Sequence, residues 1–251
     1  MREHTFEIPG EPRLKVGIPA GAIEIETQPG TEAYVRLTPV VGDQPSRDAI
    51  VRAHVELHGN ELVVELKDKW LRFGQQPEIR VEIRCPEGTS PRLHTASGDI
   101  RARGRLGDTK TQVASGDVTL ERVDGSLDVH SASGDVEVGF VSGSVKAHSA
   151  SGNLDLERTE GAVEVRSASG NVTLGDAGGG PIRVHSASGD VRIGVRDGRR
   201  VAVDARTVSG EARSDIPLDG SGGDDGDAPL VEIKVNGVSG DVRIERAAVT
   251  A

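Results

Sequence analysis

A short motif, Ser-Gly followed in most copies by Asp or Asn, returns along this chain at a nearly constant interval. That interval restricts the fold more than any single residue does. Its glycines are Gly98, Gly116, Gly134, Gly152, Gly170, Gly189, Gly210 and Gly240; the first four intervals are 18 residues and the later ones 19, 21 and 30. A second glycine column, Gly107, Gly125, Gly143, Gly161, Gly180 and Gly198, divides each unit into two nine-residue halves. Self-similarity at a fixed short period is the mark of a repeat architecture.

Within each half the apolar residues alternate with polar ones. Val118/Leu120, Val136/Val138, Leu154/Leu156 and Val172/Leu174 follow one glycine column; Leu127/Val129, Val145/Ala147 and Val163/Val165 follow the other. Period two with a β-branched bias reads as half-buried strands. A nine-residue strand and corner cannot bury its apolar face alone, but coils stacked on one another share a continuous core. The fold class is therefore all-β: a single-stranded parallel β-helix with 18-residue rungs of two nine-residue halves. Composition agrees. The 251 residues include 33 Gly but only three Phe, one Trp and one Tyr, which suits a narrow lumen filled by Val, Leu, Ile and Ala.

Charge supplies a second register signal. Lys110, Asp128, Lys146, Glu164, Arg183, Asp204 and Lys234 occupy one repeat position and alternate in sign. Stacked in chain order about 4.8 Å apart, each lies between opposite charges, and the insertions at 178–180, 197–200 and 213–230 are expected in corners. Arg92 beside Lys110 breaks the alternation.

The organisation divides at about residue 90. Residues 1–90 read as less regular coils or a β-sandwich-like cap continuous with the solenoid, with strands at Leu14–Ile18, Ala22–Thr27, Ala33–Pro39, Ile50–Leu57, Glu61–Leu66 and Glu78–Arg84. Residues 91–251 form the regular solenoid, carrying a flexible Gly/Asp-rich insertion at 213–230. The net charge of −10 argues against nucleic acid and against contact with an anionic membrane. The single cysteine, Cys85, reads as a buried, inert thiol on a strand. Neither a secretory apolar core nor an apolar stretch of about 18 residues is present, so the expected compartment is the cytoplasm.

Three groups of residues stand out as candidate sites. Trp70, Leu71 and Phe73 lie in a polar connection, either folded over the core or forming an apolar tip for a partner. The corner carboxylates, including Asp117 and Asp135, have the period of a calcium-binding β-roll, but Asn153 and Asn171 interrupt the column, and calcium takes six to eight oxygens. Hydrogen-bonded turn caps are the simpler reading. His130 and His148 fall one rung apart and could share a transition metal if a third ligand were near. No nucleophile–base pattern accompanies the serines, so the chain is read as non-enzymatic and without a cofactor.

The repeated Ser-Ala-Ser-Gly-Asp-Val-x-Val core, preceded by Val81-Glu-Ile-Arg-Cys-Pro-Glu-Gly88, resembles the bacterial "putative-adhesin" β-strand-repeat family, a domain of unknown function also called toast-rack. The resemblance implies a right-handed β-helix and relatives near envelope-stress and cell-surface systems. The function expected first is a scaffold or protein-interaction module, self-associating through its solenoid ends or capturing a protein partner. An adhesin-like or envelope-stress-sensing protein is the alternative. A metal-binding or enzymatic solenoid is the rival from another class.

Overall fold

The computed structural model describes residues 1–66, 77–216 and 229–247. They form two compact units, Met1–Asp124 and Gly125–Ala251.

The first unit contains β1 (Arg2–Glu7), β2 (Arg13–Gln28), β3 (Glu32–Pro39), α1 (Gln44–Arg52), β4 (His54–His58), β5 (Glu61–Glu65), β6 (Glu78–Pro86), β7 (Ser90–Leu106), β8 (Thr109–Ser115) and β9 (Val118–Val123). β2 is a whole coil in one strand. Along one edge it pairs in parallel with β7, and along the other with β5 and then β6. β7 in turn carries β8 and β9 in parallel. The first coil in sequence is thus held between two later ones. Antiparallel ladders β4–β5, β3–β6 and β1–β3 close the outer side of this stack, which is the cap that an open sheet edge requires.

The strands expected at Leu14–Ile18 and Ala22–Thr27 are one, β2; Arg2–Glu7 adds β1 to the expected set, and one further segment changes type. Residues 44–52 form α1, where a strand was expected from Ile50. The Asp43 carboxylate accepts from the Ser46 backbone N–H at 3.0 Å, and Pro45 stands in the first turn, where its missing N–H costs nothing. The N-cap and proline outweigh the β-branched pair Ile50-Val51, and strand begins only at His54.

The second unit contains β10 (Leu127–Ser133), β11 (Val136–Val141), β12 (Val145–Ser151), β13 (Leu154–Thr159), β14 (Val163–Ser169), β15 (Val172–Ala177), β16 (Ile182–Ser188), β17 (Val191–Val195), β18 (Arg200–Ser209), β19 (Ala212–Ser214), β20 (Leu230–Ser239) and β21 (Val242–Arg246). Among the described residues its pairings are parallel. β10, β12, β14 and β16 stack on one side, and β11, β13, β15 and β17 on the other. Rungs meet in the 18-residue register, lengthened to 19 at the last step, with Val129↔Ala147↔Val165↔Val184 and Val138↔Leu156↔Leu174↔Ile193 all buried in the lumen. The corners need glycine. Gly152 has φ +118°, and a Cβ on it would fall 2.1 Å from the Gly134 carbonyl oxygen.

The last two coils are transposed. β16 and β17 pair with β20 and β21, while β18 and β19 lie outside these. The alternating charge column is corrected accordingly. Asp128↔Lys146↔Glu164↔Arg183 stack as expected, but Arg183 then faces Lys234, and Asp204 lies beyond. Of the segment at 213–230, the first two residues belong to β19 and the last opens β20, while residues 217–228 lie outside the described residues.

Candidate functional site

The corner carboxylates are occupied by the fold. Asp135 accepts from the Asn153 N–H at 2.7 Å, Asn153 from Asn171 at 3.0 Å, and Asn171 from Asp190 at 2.9 Å. Asp190 then accepts from Asp241, and Asp241 from Glu211, each at 2.9 Å. In the first unit Asp117 donates its N–H to the Asp99 carboxylate at 3.2 Å. Each side-chain oxygen satisfies an amide of the next rung, a task that Asn performs as well as Asp. This explains why Asn153 and Asn171 interrupt the column without disturbing it.

His130 and His148 are neighbours, as their spacing predicts. Their rings stack face to face, 4.8 Å between centroids with planes 7° apart. Stacked imidazoles send their in-plane lone pairs along parallel lines, so the two do not converge on one ion. His130 Nε2 instead meets Asp128 Oδ1 at 2.9 Å. Burial, then the neighbouring His130 and Arg166, hold the His148 ring below the ordinary histidine value.

Cys85 is buried, and burial pushes its thiol up to about 11. Outward acids mostly meet cations. Arg196 binds both Glu160, at 2.9 Å, and Asp176, at 2.8 Å, stapling three rungs at the wide corner. Asp155 is an exception: burial, then Glu157, raise its carboxyl. Trp70, Leu71 and Phe73 lie outside the described residues.

Two features escape a reading based on the repeat. The first is on β4, where His54, Glu56 and His58 point to one face because side chains alternate along a strand. Glu56 Oε2 lies 3.2 Å from His54 Nε2 and 3.4 Å from His58 Nε2. His-x-Glu-x-His within one strand is the available signal, but the expected strand Ile50–Leu57 stops short of His58, whereas β4 carries all three residues.

The second is the outer edge of β18. Among the described residues β18 pairs with β20 alone, leaving a ten-residue parallel edge open. Arg200 gives its N–H to the Pro229 carbonyl at 3.2 Å, so the even-numbered peptide groups of residues 200–206 face β20, ahead of the corner where the Ser209 carbonyl accepts from Gly240 at 3.0 Å. Those of Val201, Val203, Ala205 and Thr207 turn to the open edge. The lumen residues here are also less covered than in the inner rungs: Val203, Ala205 and Thr207 are half-buried, and outward Val208 is 84% exposed.

A sequence profile of the family described as Toastrack DUF4097 matches residues 15–245. The chain belongs to the toast-rack family. Among solved structures, this toast-rack chain is similar to a "putative adhesin" from Bacteroides fragilis, at 15% identity and a TM-score of 0.56 over 96% of each chain. It is also similar to one from Parabacteroides merdae, at 12% identity and 0.56 over 96% of this chain and 95% of that one. A third, from Parabacteroides distasonis, gives 9% and 0.51 over 96% of each. At these identities the likeness shows the fold. No curated protein matches the chain. No helix among the described residues is long and apolar enough to cross a membrane.

Proposed function

We propose that this toast-rack chain is a non-enzymatic interaction module that pairs with a second copy of itself through the open edge of β18. The observation that carries the reading is the self-complementary order of residues along that edge. About a two-fold axis through Ala205, antiparallel pairing sets Asp204 against Arg206 of the second copy and Arg206 against its Asp204. Ala202 then meets Val208, and Val203 meets Thr207. Because the peptide groups of Ala205 face outward, this centre is also one at which both strands exchange hydrogen bonds. Shifting the centre to Val203 would oppose Arg200 and Arg206, a like-charge pair that costs stability.

In the single chain Arg206 Nε rests 2.9 Å from Asp204 Oδ1, so the same two groups exchange partners when the edge is filled. A charged edge deters indiscriminate strand addition while permitting this one register. One strand pair buries little surface, which makes the association weak and concentration-dependent. Cys85 is the single cysteine, so the fold needs no disulfide and would form in an oxidising or a reducing compartment. An adhesive role, of the kind named for the similar structures, would fill the same edge with an extended segment of another surface protein.

Sedimentation equilibrium tests the proposal. The wild-type chain is expected to dimerise with rising concentration. Arg206→Asp should abolish dimerisation by opposing two acids, and Asp204→Arg combined with Arg206→Asp should restore it. A monomer at millimolar concentration, or indifference to both changes, overturns the reading.

A further inference from the structure

The geometry points to a binding site for a divalent transition-metal ion, of the zinc, nickel or cobalt class, formed by His54, Glu56 and His58 on β4. It is independent of the interaction module proposed above and lies in the other compact unit. Three potential ligand atoms, one from each side chain, lie within 4.8 Å of one another, and among the described residues no other such group of three converges.

The separations match what an ion requires. Tetrahedral zinc with bonds of about 2.0–2.1 Å places neighbouring ligand atoms about 3.3 Å apart. The two Nε2···Oε2 distances, 3.2 and 3.4 Å, straddle that value. The remaining histidine–histidine separation must shorten, which rotation of the exposed Glu56 and His58 and the half-buried His54 side chains allows without moving the backbone. The donor set selects the metal class. Two imidazoles and one carboxylate suit zinc, nickel, cobalt or iron, whereas calcium and magnesium prefer oxygen alone. With three protein ligands, at least one coordination position stays open for water or a ligand from another molecule.

The surroundings support a cation. β4 and β5 form a two-residue hairpin whose first turn residue, Gly59, has φ +63°, so the strand bearing the triad is fixed close to its turn. In the antiparallel register His58 stands opposite Glu61 and His54 opposite Glu65, which adds two carboxylates to the same face. Glu65 is already held by Lys15 at 2.6 Å. Glu61 is half-buried and its charge faces the same rim. The stacked pair His130–His148 has no such convergence, which is why the metal is assigned to β4 and not to the more conspicuous histidine column.

Zinc titration of chelator-stripped protein, followed by isothermal titration calorimetry and by thermal melting in parallel, tests the site. One zinc ion per chain is expected to bind saturably and raise the melting temperature, while calcium and magnesium do neither. His58→Gln and Glu56→Gln should each weaken zinc by more than about tenfold, since even outer-shell partners of a metal ligand are worth that much. His130→Gln with His148→Gln should leave binding unchanged. Imidazole proton resonances of the wild-type chain give a readout that needs no variant: zinc should perturb His54 and His58 first. No saturable binding, binding undiminished in His58→Gln, equal affinity for calcium, or first perturbation at His130 and His148 would each overturn the assignment.

Discussion

The hydroxyl of Ser149 is buried beneath its Ser-Gly corner and meets no hydrogen-bond partner among the described residues, and the same holds for Ser131, Ser167 and Ser186 in the same stack. A buried unsatisfied hydroxyl costs about 1–3 kcal/mol. Ser149→Ala keeps the small volume the corner requires and removes that cost, so a rise in melting temperature is expected; a fall would show that the hydroxyl has a partner of its own. His148 gives a prediction with a pH sign. Its folded pKa is lowered from 6.5, so the unfolded chain binds the proton more readily. Its contribution is present above the unfolded value and is lost as the pH falls from there through the lower folded value. Urea midpoints measured on either side of pH 6.5 should decline toward acid, and His148→Asn should flatten that decline. Residue facing was legible in the sequence because period two and burial are one phenomenon in a stacked strand: Leu156, expected inward, is 1% exposed. The triad on β4 was not, since three polar residues at period two are also what any solvent-facing strand displays, and their convergence depends on rotamers.

At the scale of elements, the strands and their 18-residue register could be read directly, but the order of the coils could not. Periodicity assigns each residue a height around the corner and says nothing about which rung lies above which. The alternating charges suggested chain order, and the transposition of β18 and β20 breaks it with Arg183 facing Lys234. Exposed pairs of this kind are worth under about 1 kcal/mol, too little to resist the gain from covering the last coil. Placing β20 and β21 inside shields the C-terminal strands on both edges, as β2 is shielded in the first unit. Engineered cysteines test this order. His185 and Asn236 are partners across adjacent rungs, whereas Arg206 is one rung further out. Rungs about 4.8 Å apart fall within disulfide range and next-nearest rungs, at about 10 Å, do not. His185→Cys with Asn236→Cys should oxidise readily, and His185→Cys with Arg206→Cys should stay reduced. The reverse outcome would restore chain order. Buried Cys85, its thiol raised to about 11, should not interfere.

For the whole molecule, two copies that meet at β18 each bring a net charge of −10. The monopoles repel over a distance set by salt, about 30 Å at 0.01 M ionic strength and about 8 Å at 0.15 M. The Asp204–Arg206 contacts act only at touching distance and are screened later. Raising salt from the lower value to the higher should therefore strengthen dimerisation, and a further rise to about 1 M, where the screening length is about 3 Å, should weaken it again. This maximum separates a local, self-complementary edge from attraction between oppositely charged faces, for which association would fall from the lowest salt onward. The same linkage reaches stability. Because only the folded chain offers the edge, the melting temperature should climb with protein concentration in the wild type. It should not do so in Arg206→Asp, whose edge meets its copy with four carboxylates facing in two like pairs. A melting temperature independent of concentration in both proteins, with sedimentation showing monomers throughout, would leave the β18 edge without a second copy and turn the search toward an extended segment of a different protein.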